Sequence, residues 1–142
     1  HGTVLYIEDQ EINLLLVEAQ LAATLPHVKL LKATTGAEGV QKVRAEHPDL
    51  VLLDMHLPDM GGLEVVRALT LEISEGLKVA LLTADHLSID ILKAMSLGAY
   101  EYWVKPVSAA QLEKGVRRGL MADRVPGSGK GGAAQYGPRF AR

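Results

Sequence analysis

The 142 residues contain no cysteine. Disulfides, thiol nucleophiles and thiolate metal sites are thereby excluded, and a cytoplasmic location is expected. Positive charge is not in excess either. Fifteen Lys and Arg against 17 Asp and Glu leave a net charge of −2, which is not the basic footprint that holds nucleic acid phosphates. No apolar stretch approaches the roughly twenty residues of a membrane span. No secretory signal precedes the first apolar run, which begins almost at once. His1, His27, His47, His56 and His86 are scattered, with no pair at helical ligand spacing, which argues against zinc. Internal repeats are lacking. The chain opens on His1-Gly2 rather than on methionine, as expected of an expression remnant or of a segment cut from a longer protein. What is present is ordinary for one globular domain: 48% apolar and 23% charged residues, in a length that buries roughly two-thirds of its surface.

Short apolar runs at 4–7, 28–31, 50–53, 79–82 and 102–104 predict strands. They are near-continuous rather than alternating, as when both faces of a strand are covered. Between them lie stretches of helical period: Ile12, Leu15, Leu16, Ala19 and Ala23; Val40, Val43 and Arg44 after Gly36; Leu63, Val66 and Leu69 after Gly61-Gly62. Ile89, Leu92, Met95 and Ser96 close at Gly98, a helix C-terminal signal. Ser108 is the expected N-cap of a last helix through Leu112, Val116 and Leu120. Five strand–helix units in alternation predict an α/β fold, a doubly wound parallel sheet with helices on both faces. The flavodoxin-like strand order 2-1-3-4-5 places a ligand between the ends of the first and third strands. From about Arg124, Pro126-Gly127-Ser128-Gly129-Lys130-Gly131-Gly132 has no apolar period. Residues 122–142 are expected to form a flexible tail after a domain at 3–121.

Polar groups stand where the strands end. Glu8-Asp9 follow Val4-Leu5-Tyr6-Ile7, Asp54 follows Leu50-Val51-Leu52-Leu53, Thr83 follows Val79-Ala80-Leu81-Leu82, and Lys105 follows Tyr102-Trp103-Val104. Singly, each has a plain structural explanation as a helix cap or a surface residue. Together they would meet along one sheet edge. Three neighbouring carboxylates repel one another, and a hard cation with oxygen ligands, Mg2+, removes that cost. Asp54 would then be placed to attack phosphorus, since phosphoryl transfer relies on positioning and charge neutralisation. Mg2+ would hold one phosphoryl oxygen, Lys105 a second and the Thr83 hydroxyl a third.

With these residues in these places, the sequence over roughly 3 to 121 resembles the receiver domains of two-component response regulators. The matching positions are Glu8-Asp9, Asp54 with Pro58 and Gly62, Thr83-Ala84, and Gly98-Ala99 leading to Tyr102 and Lys105-Pro106. Val4-Leu5-Tyr6-Ile7-Glu8-Asp9 with Asn13 is similar to receivers of hybrid sensor histidine kinases. The resemblance implies that Asp54 accepts a phosphoryl group from a phosphohistidine on a histidine kinase or histidine phosphotransfer domain, covalently linked kinase domains included. It implies Mg2+ ligated by Asp9, Asp54 and the backbone carbonyl of His56, with Glu8 acting through water. Lys105 would pair with Asp54 and the phosphoryl group, and its bond to Pro106 would be cis. Thr83 and Tyr102 would be a switch pair altering the face built by the fourth helix, fifth strand and last helix, about residues 87 to 121. Such a domain is a stoichiometric carrier that catalyses part of its own phosphorylation and dephosphorylation, not a turnover enzyme.

Some positions depart from the family's commonest pattern: Gly61 stands where Asp or Asn is frequent, and His56 and Asp85 lie near enough to affect phosphoryl lifetime. Trp103 is expected to pack in the core. Two other functions compete. An aspartyl-nucleophile phosphatase needs a second aspartate where His56 stands, and a pseudo-receiver would only bind partners.

Overall fold

Five strands and six helices form among residues 2–85 and 88–121, the part of the chain described by this computed structural model. The 122–142 stretch that the sequence predicts as a tail lies outside the described residues. The order is β1 (Gly2–Ile7), α1 (Glu11–Thr24), β2 (Val28–Ala33), α2 (Gly36–Glu46), β3 (Leu50–Asp54), α3 (Gly62–Ala68), α4 (Thr70–Ser74), β4 (Lys78–Thr83), α5 (Ile89–Ser96), β5 (Glu101–Val104) and α6 (Ala109–Met121). The sheet is parallel throughout, in the order β2-β1-β3-β4-β5, as the alternating strand and helix periods predict. All strands therefore end on the same edge.

Side chains leave a strand alternately to its two faces, and here each face has its own core. Leu5, Ile7, Val51, Leu53, Val79 and Leu81 pack with α2, α3 and α5 through residues such as Val43, Val66, Leu69 and Met95. Val4, Tyr6, Leu50, Leu52, Ala80, Leu82 and Trp103 pack with α1 and α6 through Leu14, Leu21, Leu112 and Val116. Each large aliphatic side chain so enclosed contributes about 1.5–3 kcal/mol. Local caps follow the sequence closely. The Ser108 hydroxyl accepts the Gln111 N–H at 3.0 Å at the start of α6. Gly98, at φ 112°, takes the left-handed conformation just beyond α5.

The third helix covers Leu63 and Val66 with Leu69 as its cap, and a short further helix, α4, which the sequence pattern does not mark, follows at once. At the junction Thr70 Oγ1 donates to the Arg67 carbonyl at 3.2 Å. Two details differ from the sequence-based expectation. In α1 the face turned inward carries Leu14, Val17 and Leu21, whereas Ile12, Leu15 and Leu16 are exposed. In α5 the buried residues are Ile91, Ala94 and Met95, with Ile89 and Leu92 outside. Both helices carry apolar residues on more than one side, so periodicity alone does not choose between them. Among the described residues, no helix is long and apolar enough to cross a membrane.

Candidate functional site

The third strand delivers Asp54 to the sheet edge almost fully enclosed, 3% exposed. Its Oδ1 accepts the backbone N–H of His56 at 2.9 Å, and its Oδ2 lies 3.0 Å from Lys105 Nζ. Lys105 follows β5, where its own N–H donates to the Thr83 carbonyl at 2.7 Å. That bond extends the β4–β5 ladder by one step and fixes where the ammonium starts. The Lys105–Pro106 peptide is cis.

From β1 come Glu8 and Asp9. The Glu8 carboxylate is fully buried. It accepts the Tyr6 hydroxyl at 3.0 Å, the Gln10 backbone N–H at 3.1 Å and the Asn13 side-chain amide at 3.2 Å. Burial pushes the Glu8 carboxyl above the ordinary carboxylate range, with the neighbouring Asp54 charge acting in the same direction and the Gln10 N–H opposing it. Burial likewise pushes the Tyr6 hydroxyl up, assisted by the Glu8 charge. Asp9 is half-buried and accepts from the Gln10 side-chain amide at 3.3 Å. One oxygen each from Glu8, Asp9 and Asp54 lie within 4.8 Å of one another. Carboxylates in such a group raise each other's proton affinity, and an all-oxygen donor set fits a hard divalent cation rather than zinc.

Thr83 ends β4 and is buried. Its Oγ1 accepts the Asp85 N–H at 3.1 Å and donates to the Asp85 carbonyl at 3.2 Å, so the hydroxyl is engaged by its own loop. A cleft of about 450 Å3 opens here, lined by Asp9, His56, Pro58, Thr83, Asp85 and Asp90 among others. On the other side of Glu8 and Lys105 is a second cavity, of about 400 Å3, walled by α1 and the start of α6. Tyr102 is half-buried against the core under α5. Leu81 is in register with Tyr102 and Thr83 with Val104, so Thr83 and Tyr102 project from the same face of the sheet. The His56 side chain is exposed. Its backbone pairs with Gly61 across the loop.

Glu8, Asp9, Asp54 and Lys105 thus come together, Thr83 lines the cleft beside Asp9 and His56, and Tyr102 stands on the next strand. One polar residue of this region carried no functional signal in the sequence. Asp59, five residues after Asp54, accepts the N–H groups of Gly36 at 2.8 Å and Ala37 at 3.0 Å at the start of α2, and these donors hold its carboxyl below the usual range. Its place after Pro58 reads as turn chemistry, and the partner helix is too distant in sequence to be inferred.

Comparison with known proteins agrees with this geometry. Residues 4–117 match the family described as the response regulator receiver domain. The transcriptional regulatory protein AfsQ1 of Streptomyces coelicolor is 32% identical over 115 residues, covering 81% of this chain and 49% of that protein. The DNA-binding response regulator MtrA of Mycolicibacterium smegmatis is 36% identical over 85 residues, covering 60% of this chain and 36% of that protein. The chain spans about half or less of the length of these curated relatives. Among solved structures, the chemotaxis response regulator CheY4 of Vibrio cholerae superimposes with a TM-score of 0.75 at 23% identity, covering 84% of this chain and 98% of that one. A receiver domain protein from Clostridium thermocellum gives 0.73 at 26% identity, covering 84% and 94%. With the acidic cluster, Lys105 and Thr83 gathered on one edge of this sheet, and the match running across all five strands, the chain belongs to the response regulator receiver domain family.

Proposed function

We propose that Asp54 accepts a phosphoryl group from a phosphohistidine on a histidine kinase or histidine phosphotransfer domain, and that the chain works as a stoichiometric switch. The observation that carries this is the buried Asp54 carboxylate, paired with Lys105 and grouped with Glu8 and Asp9. An Asp54 oxygen forms the new P–O bond while the P–N bond breaks, and the imidazole nitrogen leaves with its electron pair. Asp9, Asp54 and the backbone carbonyl of His56 are the residues that would hold Mg2+, with Glu8 completing the acidic set. Bound there, the cation would supply neutralisation of the phosphoryl charge. Lys105 supplies a fixed positive charge to a second oxygen. The same groups would let the domain catalyse its own phosphorylation from small donors and its own hydrolysis.

Once phosphoryl oxygens are in place, the Thr83 hydroxyl exchanges its bonds to the Asp85 backbone for one to the phosphoryl group. Tyr102, on the same face of the neighbouring strand, moves into the space released. The altered surface is that of α5, β5 and α6, where Ile89 and Leu92 stand exposed. This is a local charge event biasing a two-state element, and it shifts populations only by its differential affinity for the two states. The partner carrying the phosphohistidine would meet the exposed apolar strip Ile12, Leu15 and Leu16 on α1, which begins two residues after Asp9. The net charge of −2 supports placing any DNA contact outside this stretch, although MtrA is named as DNA-binding.

The test is phosphate incorporation from acetyl phosphate with Mg2+. Wild type is expected to gain one base-labile acyl phosphate, and Asp54→Asn none. Incorporation at the wild-type rate in Asp54→Asn refutes the assignment, and a wild type that incorporates nothing from acetyl phosphate or a phosphohistidine donor favours the pseudo-receiver reading.

A further inference from the structure

The loop between Asp54 and α3 is tied down at its base by the His56 N–H to Asp54 Oδ1 and by the Gly62 N–H to the Met55 carbonyl at 3.1 Å. Its tip is tied elsewhere. Asp59 reaches across to the first turn of α2, where its two oxygens take the N–H groups of Gly36 and Ala37. That helix already has a cap of its own. Thr35 Oγ1 accepts the Glu38 N–H at 3.1 Å, and the Glu38 carboxylate accepts the N–H of Thr34, one residue before the cap, at 2.8 Å, a variant of the capping box. The first three N–H groups of α2 are therefore divided, two to Asp59 and one to Thr35.

What Asp59 adds is a connection between two separate pieces of chain. Its neighbour Met60 strengthens it. A Cβ at Gly36 would fall 2.5 Å from Met60 Cγ, so the loop tip lies directly on the helix. Three residues on, a Cβ at Gly39 would fall 2.4 Å from Ile7 Cδ1, so the same helix lies as closely on the end of β1, one residue before Glu8. The carboxylate of Asp59 belongs to neither the acidic cluster nor the cleft lining.

We propose that Asp59 is a positioning residue of the phosphoacceptor site: by clamping the loop tip to α2 it fixes the His56 backbone, and with it the divalent-cation site around Asp54. The proposal rests on the phosphoacceptor function argued above. Loss of the clamp frees the stretch from Leu57 to Met60, and the His56 backbone, whose N–H reaches Asp54 Oδ1 and which pairs with Gly61, loses the restraint that the loop tip supplies.

The test uses the full chain and the variants Asp59→Ala, Asp59→Asn and Thr35→Ala. Mn2+ affinity is measured by water-proton relaxation, phosphate uptake by Asp54 from acetyl phosphate as a function of Mg2+, and the urea midpoint alongside. Removing groups bonded directly to a metal ligand weakens metal binding by about 10–100-fold, so a clamp acting through the loop should cost about 3–10-fold. Asp59→Ala is expected to weaken Mn2+ by that factor and to raise the Mg2+ concentration for half-maximal uptake in parallel. Asp59→Asn, which keeps one acceptor oxygen, should recover part of it. Thr35→Ala removes a cap from the same helix end and should lower the urea midpoint while leaving Mn2+ affinity unchanged. Unchanged Mn2+ affinity in Asp59→Ala, with wild type taking up phosphate, overturns the role of Asp59 alone. So does equal weakening in Thr35→Ala, which would make Asp59 an ordinary helix cap. A wild type that binds Mn2+ but takes up no phosphate overturns the phosphoacceptor reading and this role together.

Discussion

Asp9→Asn should make the metal-free protein more stable and, at the same time, abolish most of its response to Mg2+. At 4.8 Å, the outer limit of separation in the Glu8–Asp9–Asp54 cluster, two unit charges repel by roughly 3.5 kcal/mol at an effective dielectric near 20 and by about 0.9 kcal/mol in bulk water. Asp9 is half-buried, so its repulsion by each neighbour falls between these limits. The Lys105 ammonium, 3.0 Å from Asp54, offsets part of it. A net gain of about 1–2 kcal/mol on neutralising Asp9 is expected without divalent cation. Mg2+ at ten times its dissociation constant should stabilise wild type by about 1.4 kcal/mol and the variant by little. The order of stabilities should therefore narrow or invert as Mg2+ is added. Urea denaturation followed by Trp103 fluorescence, with and without Mg2+, measures both terms. A variant less stable than wild type without Mg2+, or one that gains as much from Mg2+ as wild type, would refute the electrostatic account of the cluster.

The raised Glu8 carboxyl holds its proton more tightly in the folded state than in the unfolded chain. Its contribution favours folding below the ordinary carboxylate range and is lost as pH rises through its folded value. Relative to Glu8→Gln, metal-free wild type should accordingly lose stability as pH climbs above about 4.3, the opposite contributions of the lowered Glu38 and Asp59 carboxyls being common to both proteins; parallel pH profiles of the two would refute the assignment. Gly115→Ala brings a Cβ to 2.3 Å from Trp103 Cζ2. Overpacking should cost about 1–3 kcal/mol, outweighing the roughly 1 kcal/mol gained in helix propensity, and a higher urea midpoint would contradict the contact. Arg118→Met removes the guanidinium from the buried Glu101 carboxylate, which also accepts Trp103 Nε1 at 2.7 Å. Because Arg118 is substantially exposed, the cost should be about 1–2 kcal/mol, below that of a fully buried pair, with a shift in Trp103 emission as the second readout.

Strand positions and sheet order were legible because continuous apolar runs have one solution when both faces are covered, and because parallel strands collect their ends on one edge. Asp54, Glu8, Asp9, Thr83 and Lys105 could be located in this way before any contact was known. The inward faces of α1 and α5 could not, since Ile12, Leu15 and Leu16 are as apolar as Leu14, Val17 and Leu21, and burial is decided by what the rest of the chain brings against them. The short helix α4 was not legible either, since no cap or break residue in the sequence separates it from α3. The Asp59 bonds, 22 and 23 residues from their donors, are products of tertiary packing that no local pattern encodes.

Helix α2 touches both halves of the site, through Gly39 on Ile7 beside Glu8 and through Gly36 and Ala37 on the loop that follows Asp54. Both halves are thus referred to one rigid body. If α2 shifts, it carries the end of the first strand and the loop tip in the same direction, and the displacement largely cancels in the distance between them. The spacing of the carboxylates is then insulated from motions of the surrounding layer, in the way that two instruments bolted to one bench do not register its vibration. Rearrangement elsewhere in the molecule would then reach the carboxylates only in attenuated form.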